Sequence, residues 1–169
     1  MLGLTGVPAT APHDVSPWHE HRRAAIRSVC VACGVTTNAV GTAIYLRAGG
    51  CAVHPFASSG FCGEEIAELQ SVLGEGPAFE AVRQHWPVFV PNLVDHATSV
   101  RWPLFSAAAV AIGVEAVFVF PLAVGAEPLG ALEIHRDTGD VLTPDEIVDV
   151  VHLATVVLNL VLDAGLVPP

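Results

Sequence analysis

Four cysteines are the first side chains in this sequence whose type and spacing could carry out chemistry. Cys30 and Cys33 have the spacing of a redox or metal-binding pair, yet no second cysteine pair and no histidine pair stands at zinc-finger spacing. A lone pair cannot complete a tetrahedral metal site. We therefore expect Cys30 and Cys33 to be small, buried residues on the apolar face of a helix.

Histidine and glutamate residues are the next candidates. Glu133 and His135 alternate onto one face of a predicted strand, and with His54 on a neighbouring strand they could form a polar cluster or a metal site. His96 could ligate haem, but a single histidine is more often a surface or hydrogen-bonded residue. The turn at residues 74–77 lacks the Gly-Lys-Ser/Thr ending of a phosphate loop, and no Ser-His-Asp order is present. We therefore predict neither a catalytic residue nor a metal site.

Periodic spacing of apolar residues predicts the elements that would position these side chains. Ser16-Pro17 and Thr143-Pro144 start two of the helices, the second with Glu146 as a capping-box acid. We expect Gly34 to end the first helix, residues 58–60 to break the second strand, and residues 92–101 to form a polar loop. The predicted helices span residues 17–33, 64–73, 77–83, 104–112 and 144–163, and the predicted strands span residues 40–46, 52–57, 87–91, 114–124 and 129–136.

Two of these elements, one strand and the last helix, carry more apolar surface than a single packing partner can bury. Residues 117–120 are apolar on both faces of their strand, which predicts a central strand that is covered twice. The last helix has one narrow polar stripe and is otherwise Val, Leu, Ile or Ala, whereas a single sheet face buries about one apolar stripe. A second apolar partner is implied, either the first helix or the equivalent helix of another subunit. The stripe consists of Asp149, His152, Thr155, Asn159 and Asp163.

Length and composition limit the classes of function. With 169 residues, 52% hydrophobic and 14% charged, the chain is expected to form a flexible tail over residues 1–15 and a single domain over residues 16–165. A net charge of −10 without a positive patch disfavours binding to nucleic acid and to an anionic membrane surface. No signal peptide or membrane-spanning segment is recognisable, so we expect a cytoplasmic protein with reduced thiols.

A series of short motifs between residues 73 and 134 resembles the GAF domain, and the resemblance extends from about residue 20 to residue 164. It is greatest to GAF domains of actinobacterial sensors, where an RNA-binding ANTAR domain often follows; we expect no ANTAR part within these 169 residues. The cyclic-nucleotide pattern of some GAF domains is absent, as is a bilin-attaching cysteine in the helix at residues 104–112. The motifs are Leu73-Gly74-Glu75-Gly76-Pro77, Asp95, Arg101-Trp102-Pro103, Gly113, Pro121-Leu122 and Leu129-Gly130-Ala131-Leu132.

The resemblance implies an α+β fold. A central antiparallel sheet of five or six strands would have the terminal helices on one face, and loops and short helices forming a ligand pocket on the other. Aromatic side chains could supply apolar walls and a few polar side chains could supply anchors, although the aromatics could equally fill an ordinary core. Asp95 is more simply explained as a cap. The predicted pocket residues are Phe89, Asn92, Asp95, Trp102, Phe105, Ser106, Phe118 and Phe120.

The resemblance also implies a function in signal transduction. We expect a non-catalytic, small-molecule-sensing homodimer that associates through its terminal helices, with ligand and cofactor unidentified. Ligand binding would close the loop at residues 91–101 and reorient the terminal helices. Two alternatives stay open: a thiol-dependent enzyme that reduces free methionine sulfoxide through Cys51 and Cys62, as some GAF-fold proteins do, and a ligand-free dimerisation or protein-interaction module.

Overall fold

The computed structural model describes residues 17–48 and 52–165. The predicted tail, the Ser16 cap, the middle of the first hairpin turn and Cys51 lie outside the described residues. The helices are α1 (Pro17–Thr36), α2 (Gly63–Leu73), α3 (Pro77–Gln84), α4 (His96–Arg101), α5 (Pro103–Ile112) and α6 (Pro144–Asp163). The strands are β1 (Gly41–Ala48), β2 (Ala52–Gly60), β3 (Val88–Val90), β4 (Ala116–Val124) and β5 (Glu127–Arg136).

The five strands form one sheet in the order β2-β1-β5-β4-β3, and every neighbouring pair is antiparallel. The two hairpins, β1–β2 and β4–β5, pair with each other through β1 and β5. The predicted α+β class and antiparallel sheet are confirmed. The strand β4 lies inside the sheet, as its apolar character on both faces predicts.

The sheet separates two hydrophobic cores. Helices α1 and α6 cover one face, which we call the terminal-helix face, and its core includes Ile44, Phe118 and Leu132. Helices α2, α3 and α5 cover the opposite face, which we call the inner face, and its core includes Tyr45 and Val117. Neighbouring residues such as Ile44 and Tyr45 enter different cores because side chains alternate along a strand. The predicted placement of the terminal helices on one face is confirmed.

Three local predictions were wrong. Residues 58–60 continue β2 because they pair with the start of β1, where the Thr42 and Ser59 hydroxyl oxygens lie 3.0 Å apart. Gly34 does not end α1, which runs two residues further to Thr36. The predicted loop at residues 92–101 contains the short helix α4. For residues 58–60 the pairing with β1 outweighs the local preference of Ser and Gly for a break.

The start of α6 is fixed as the sequence predicts. The Thr143 side chain accepts a hydrogen bond from the Glu146 backbone N–H, and the Glu146 carboxylate accepts one from the Thr143 N–H. Arg136 from β5 also pairs with Glu146 and donates to the Thr37 carbonyl at the end of α1. Although burial opposes ionisation, the hydrogen bonds from Thr143 and the charge of Arg136 lower the pKa of Glu146. This contact joins β5 to both terminal helices.

Gly130 explains one of the recurring short motifs. A Cβ atom at this position would lie 2.0 Å from the Tyr45 carbonyl oxygen on the paired strand β1. The glycine of Leu129-Gly130-Ala131-Leu132 is therefore required where β1 and β5 approach closely. Among the described residues, no helix is long and apolar enough to cross a bilayer.

Candidate functional site

Trp102, Phe105 and Ser106 lie on the inner face, where all three are buried. The Glu75 carboxylate accepts hydrogen bonds from the backbone N–H groups of Leu104 and Phe105, at 2.8 and 2.9 Å, and so caps α5. Glu75 belongs to the Leu-Gly-Glu-Gly-Pro motif, so this motif positions α5, the helix that begins at Pro103.

A second contact holds the same corner of the protein. Arg101 forms an ion pair with the nearly buried Glu80 of α3, and its guanidinium lies 4.4 Å from the centre of the Trp102 ring. The carboxylate and the indole therefore orient Arg101, and α3 is tied to the junction of α4 and α5. The described geometry gives these residues a structural role.

Phe89, Phe118 and Phe120 lie on the other side of the sheet. The Phe89 ring contacts the other two, with its centre 5.8 Å from that of Phe118 and 5.1 Å from that of Phe120. Phe118 and Phe120 are buried in the core of the terminal-helix face, because even-numbered residues of this part of β4 face that side. These aromatics therefore share no cavity with Trp102 and Phe105.

The two predicted anchors Asn92 and Asp95 are exposed. The Asn92 side-chain oxygen accepts a hydrogen bond from the Val94 N–H at 3.0 Å, so it stabilises its own turn. Asp95 is the N-cap residue of α4, but its side chain makes no capping hydrogen bond. The eight predicted pocket residues thus occupy three separate places and do not form one site.

A buried polar network occupies the centre of the inner face. It consists of Tyr45, Cys62, Gln70, Glu133 and His135, each at most 1% exposed. The Tyr45 hydroxyl donates to Glu133 at 2.6 Å, and the Gln70 amide donates to both carboxylate oxygens of Glu133. The side-chain oxygen of Gln70 accepts from the Ala78 N–H at 2.9 Å. Gln70 therefore connects the carboxylate to the start of α3.

His135 links the carboxylate to the thiol. Its Nε2 lies 3.2 Å from Glu133 Oε2 without hydrogen-bond alignment, and its Nδ1 lies 4.0 Å from Cys62 Sγ. Burial acts to lower the pKa of His135, but the hydrogen bond with Cys62 and the contact with Glu133 raise it to about 9. Burial raises the pKa of Tyr45 well above its usual value, and the charge of Glu133 adds to the effect. The raised pKa of His135 therefore keeps its imidazole protonated at neutral pH, next to the Glu133 carboxyl group.

Sequence reasoning found only part of this network. It placed Glu133 and His135 on one strand face, which the structure shows, but it grouped them with His54, which is exposed. Tyr45 and Gln70 were not foreseen, and Cys62 was named only as a candidate thiol, without His135 as its neighbour. A polar Gln on the apolar side of α2 is a signal that could have indicated a buried partner.

Cys30 and Cys33 are buried on the terminal-helix face and are free thiols. Burial raises the pKa of Cys30 to about 11 and that of Cys33 to about 12. Since the thiolate is the nucleophile and the metal ligand, these two thiols are poorly suited to either task. Within the described residues, no group of three His, Cys, Asp or Glu side chains is placed to hold a metal ion.

A cleft opens at the edge of the inner face, between the last turn of α3 and the ends of both hairpins. We call it the basic cleft, because two arginines and a histidine lie beside an otherwise mainly apolar lining. Its volume is about 390 Å³, which falls in the range of small-molecule sites. The Phe79 ring lies between the basic cleft and the buried polar network. It makes an edge-on contact with the Tyr45 ring, and the two ring centres are 6.5 Å apart. The lining residues are Arg47, Val53, Gly74, Phe79, Val82, Arg83, His85 and Pro128.

Comparison with known proteins identifies the fold. No protein-family model and no curated protein matches the sequence. A domain from a Sinorhizobium meliloti protein described as a two-component sensor histidine kinase is similar with a TM-score of 0.67 and 19% identity, covering 83% of this chain and 90% of that domain. The GAF domain of an Acinetobacter phosphoenolpyruvate-protein phosphotransferase has a TM-score of 0.66 and 14% identity, covering 85% and 84%.

An enzyme shares the same architecture. The type II free methionine-R-sulfoxide reductase of Thermoplasma acidophilum has a TM-score of 0.64 and 17% identity, covering 85% of this chain and 94% of that chain. The chain therefore has the fold of GAF domains, and identities this low leave its activity to be argued from its own residues.

Proposed function

We propose that this chain is a non-catalytic sensing domain that binds a small molecule in the basic cleft and acts in signal transduction. The observation that carries the proposal is the position of the cleft, on the face of the sheet opposite the terminal helices. One solved structure with this fold comes from a protein described as a sensor histidine kinase, which supports the same class.

The sheet offers a physical route from the cleft to the terminal helices. Arg47 lines the cleft, and its neighbour Leu46 on β1 packs in the core beneath α1 and α6. Pro128 lines the cleft at the start of β5, and Leu132 further along the same strand packs in that core. A ligand that shifts either strand would change the packing of the terminal helices. The ligand would then bind the two arrangements of these helices with different affinity, which is what shifts a population between them.

The terminal helices supply a surface for a second copy of the chain. Large apolar side chains remain at least 46% exposed along both helices: Val31 and Val35 on α1, and Val148, Val151, Val156 and Leu162 on α6. Exposed apolar residues on two adjacent helices are typical of an association surface. We therefore propose a homodimer through α1 and α6, so that a change in helix packing alters the arrangement of subunits.

Native mass spectrometry of freshly purified protein tests for ligand binding. We expect a retained small molecule that is released on denaturation, and we expect the same compound to raise the melting temperature when it is added back. Hydrogen exchange should then change in α1 and α6 as well as at the cleft. A native mass equal to that of the polypeptide, with no stabilisation by a small-molecule extract of host cells, would contradict the proposal.

An enzymatic function is the second candidate, because a thiol lies beside an imidazole. Cys62 contacts His135, and a sulfoxide reductase shares the fold. Such an enzyme would take two electrons from thiols and release the sulfoxide oxygen as water. The test is consumption of free methionine sulfoxide in the presence of dithiothreitol, with Cys62→Ser abolishing turnover and Cys30→Ala leaving it unchanged. We favour the non-catalytic function since Cys62 is only 1% exposed.

A further inference from the structure

We propose that the basic cleft binds a small organic anion, with a carboxylate or phosphate head group held by Arg47 and Arg83 and an apolar body packed on Phe79. The inference rests on the proposed sensing function, and it assigns the chemical class of ligand that the cleft selects.

The distribution of positive charge points to this cleft. All seven basic residues of the sequence are arginines, in a chain with a net charge of −10. Arg101 and Arg136 are each ion-paired with a carboxylate, and three further arginines lie on α1. The remaining two, Arg47 and Arg83, both line the basic cleft. Two cationic side chains that converge on one concavity, in a chain this acidic, favour a negatively charged occupant.

Neither arginine is held by a buried ion pair, so both can bind a ligand. No carboxylate of the described residues forms an ion pair with Arg83. Arg47 lies 3.8 Å from Glu127, whose side chain is 76% exposed, and it also donates to the Pro128 carbonyl. An exposed pair of this kind contributes little to stability, so an incoming anion can displace Glu127 at little cost. The planar guanidinium fork matches both carboxylate and phosphate oxygens.

The remaining lining explains why an inorganic ion alone would not fill the cleft. Val53, Phe79, Val82 and Pro128 present apolar surface, and a volume of about 390 Å³ exceeds that of a lone phosphate or acetate. His85 adds an imidazole N–H that can donate in either protonation state. The occupant is therefore expected to be amphiphilic, with its charge at the arginines and its apolar part against Phe79.

Isothermal titration calorimetry with matched probes tests the assignment. The probes are 2-naphthoate, its uncharged analogue 2-naphthamide, 2-naphthyl phosphate, and acetate and inorganic phosphate as anions without an apolar body. We expect one of the two naphthyl anions to bind at least about tenfold more tightly than 2-naphthamide, with acetate and phosphate weaker still. The stronger of 2-naphthoate and 2-naphthyl phosphate identifies the preferred head group.

Variants locate the site. Arg83→Gln and Arg47→Gln are each expected to weaken naphthyl-anion binding about fivefold or more. Arg27→Gln removes the same charge from the exposed surface of α1 and is expected to leave binding unchanged. Amide resonances that shift on titration should belong to α3 and to the ends of β1 and β5.

Three results would overturn the inference: equal binding of 2-naphthoate, 2-naphthyl phosphate and 2-naphthamide, equal loss in Arg27→Gln and Arg83→Gln, or no naphthyl-anion binding at all. The sensing function is tested by a different result from the one that tests the anionic ligand. A neutral compound retained in native mass spectrometry would leave that function in place while excluding an anionic ligand.

Discussion

Glu133 and His135 are the residues at which burial and charge compete most directly. Each has a fully buried side chain, and the carboxylate is compensated by Tyr45, Gln70 and His135. Removing one partner from such a cluster leaves a buried charged or polar group without a hydrogen bond. The resulting loss of unfolding free energy is larger than the net stabilisation that the contact itself provides. The network therefore specifies how α2 and α3 sit on the sheet, and stability is expected to depend on its protonation.

The raised pKa of His135 predicts a loss of stability in mildly alkaline solution. A histidine with a folded-state pKa of about 9 contributes stability that is complete below its unfolded pKa of about 6.5 and is lost as pH rises through 9. The free energy of unfolding, measured by urea denaturation, should fall by on the order of 1–2 kcal/mol between pH 6.5 and pH 8.5. The measurement stops at pH 8.5 because the raised pKa values of the buried thiols Cys30 and Cys33 cause a further loss of unfolding free energy above pH 9.

Two histidine variants distinguish the deprotonation of His135 from the titration of other groups in the protein. His135→Asn should flatten the decline in unfolding free energy over this range of pH. His54→Asn, at an exposed position, should keep the decline of the original protein. A pH-independent unfolding free energy in the original protein would show that His135 is neutral in the folded state.

The helices and strands are held by a few contacts at their ends. Glu75, in the turn between α2 and α3, caps α5, and the Thr143–Glu146 capping box starts α6. Since the first backbone N–H groups of a helix lack partners within it, these side chains stabilise each helix start. Both contacts are visible as short motifs in the sequence, although only the second is local.

Thr143→Ala tests the capping box. The variant loses the acceptor for the Glu146 N–H and should lower the free energy of unfolding by about 1 kcal/mol, measured by urea denaturation. Thr155→Ala is the matched control, since Thr155 is exposed in the middle of α6 and bonds only to the carbonyl of Val151. Alanine has the higher helix propensity, so this control should be neutral or slightly stabilising. Equal losses in the two variants would contradict a specific cap.

The whole molecule presents a different surface on each side of the sheet. The inner face has the basic cleft at its edge, and the outer surfaces of α1 and α6 expose apolar residues. A strongly negative chain repels copies of itself at long range, but charges on separate surfaces are screened beyond about 8–10 Å at physiological ionic strength. Apolar contact between terminal helices can therefore dominate association.

Val151→Glu tests association through the terminal helices. The exposed Val151 lies on α6, and a charge there should shift the light-scattering mass from dimer towards monomer because it would be desolvated in the interface. Val72→Glu places the same charge on α2, at an 82% exposed position on the other side of the molecule, and should leave the mass unchanged. A monomeric mass for the unmodified protein at high concentration would remove the dimer proposal.

The sequence by itself determined most of the local structure. Apolar periodicity indicated all the long elements, the covered strand β4, and the buried cysteines Cys30 and Cys33, because these features depend on spacing within one segment. The order of short motifs indicated the fold as well, and the structure shows physical reasons for two of them, at Glu75 and Gly130. The last residues of β2 were missed because their pairing with β1 cannot be read from their own segment, and the short helix α4 was missed as well.

Only the tertiary structure decided which side chains meet. The contact between Gln70 and Glu133 joins residues 63 positions apart, and Tyr45 and Glu133 are 88 positions apart. A shift in register between Ile44 and Tyr45 alters the β1–β2 pairing, and such irregularities are not visible in one strand alone. The predicted aromatic pocket was divided between two faces because Phe118 and Trp102 belong to different cores. Strand pairing brought Arg47 and Pro128 to one edge of the sheet, where α3 adds Arg83, and that assembly of distant residues created the basic cleft.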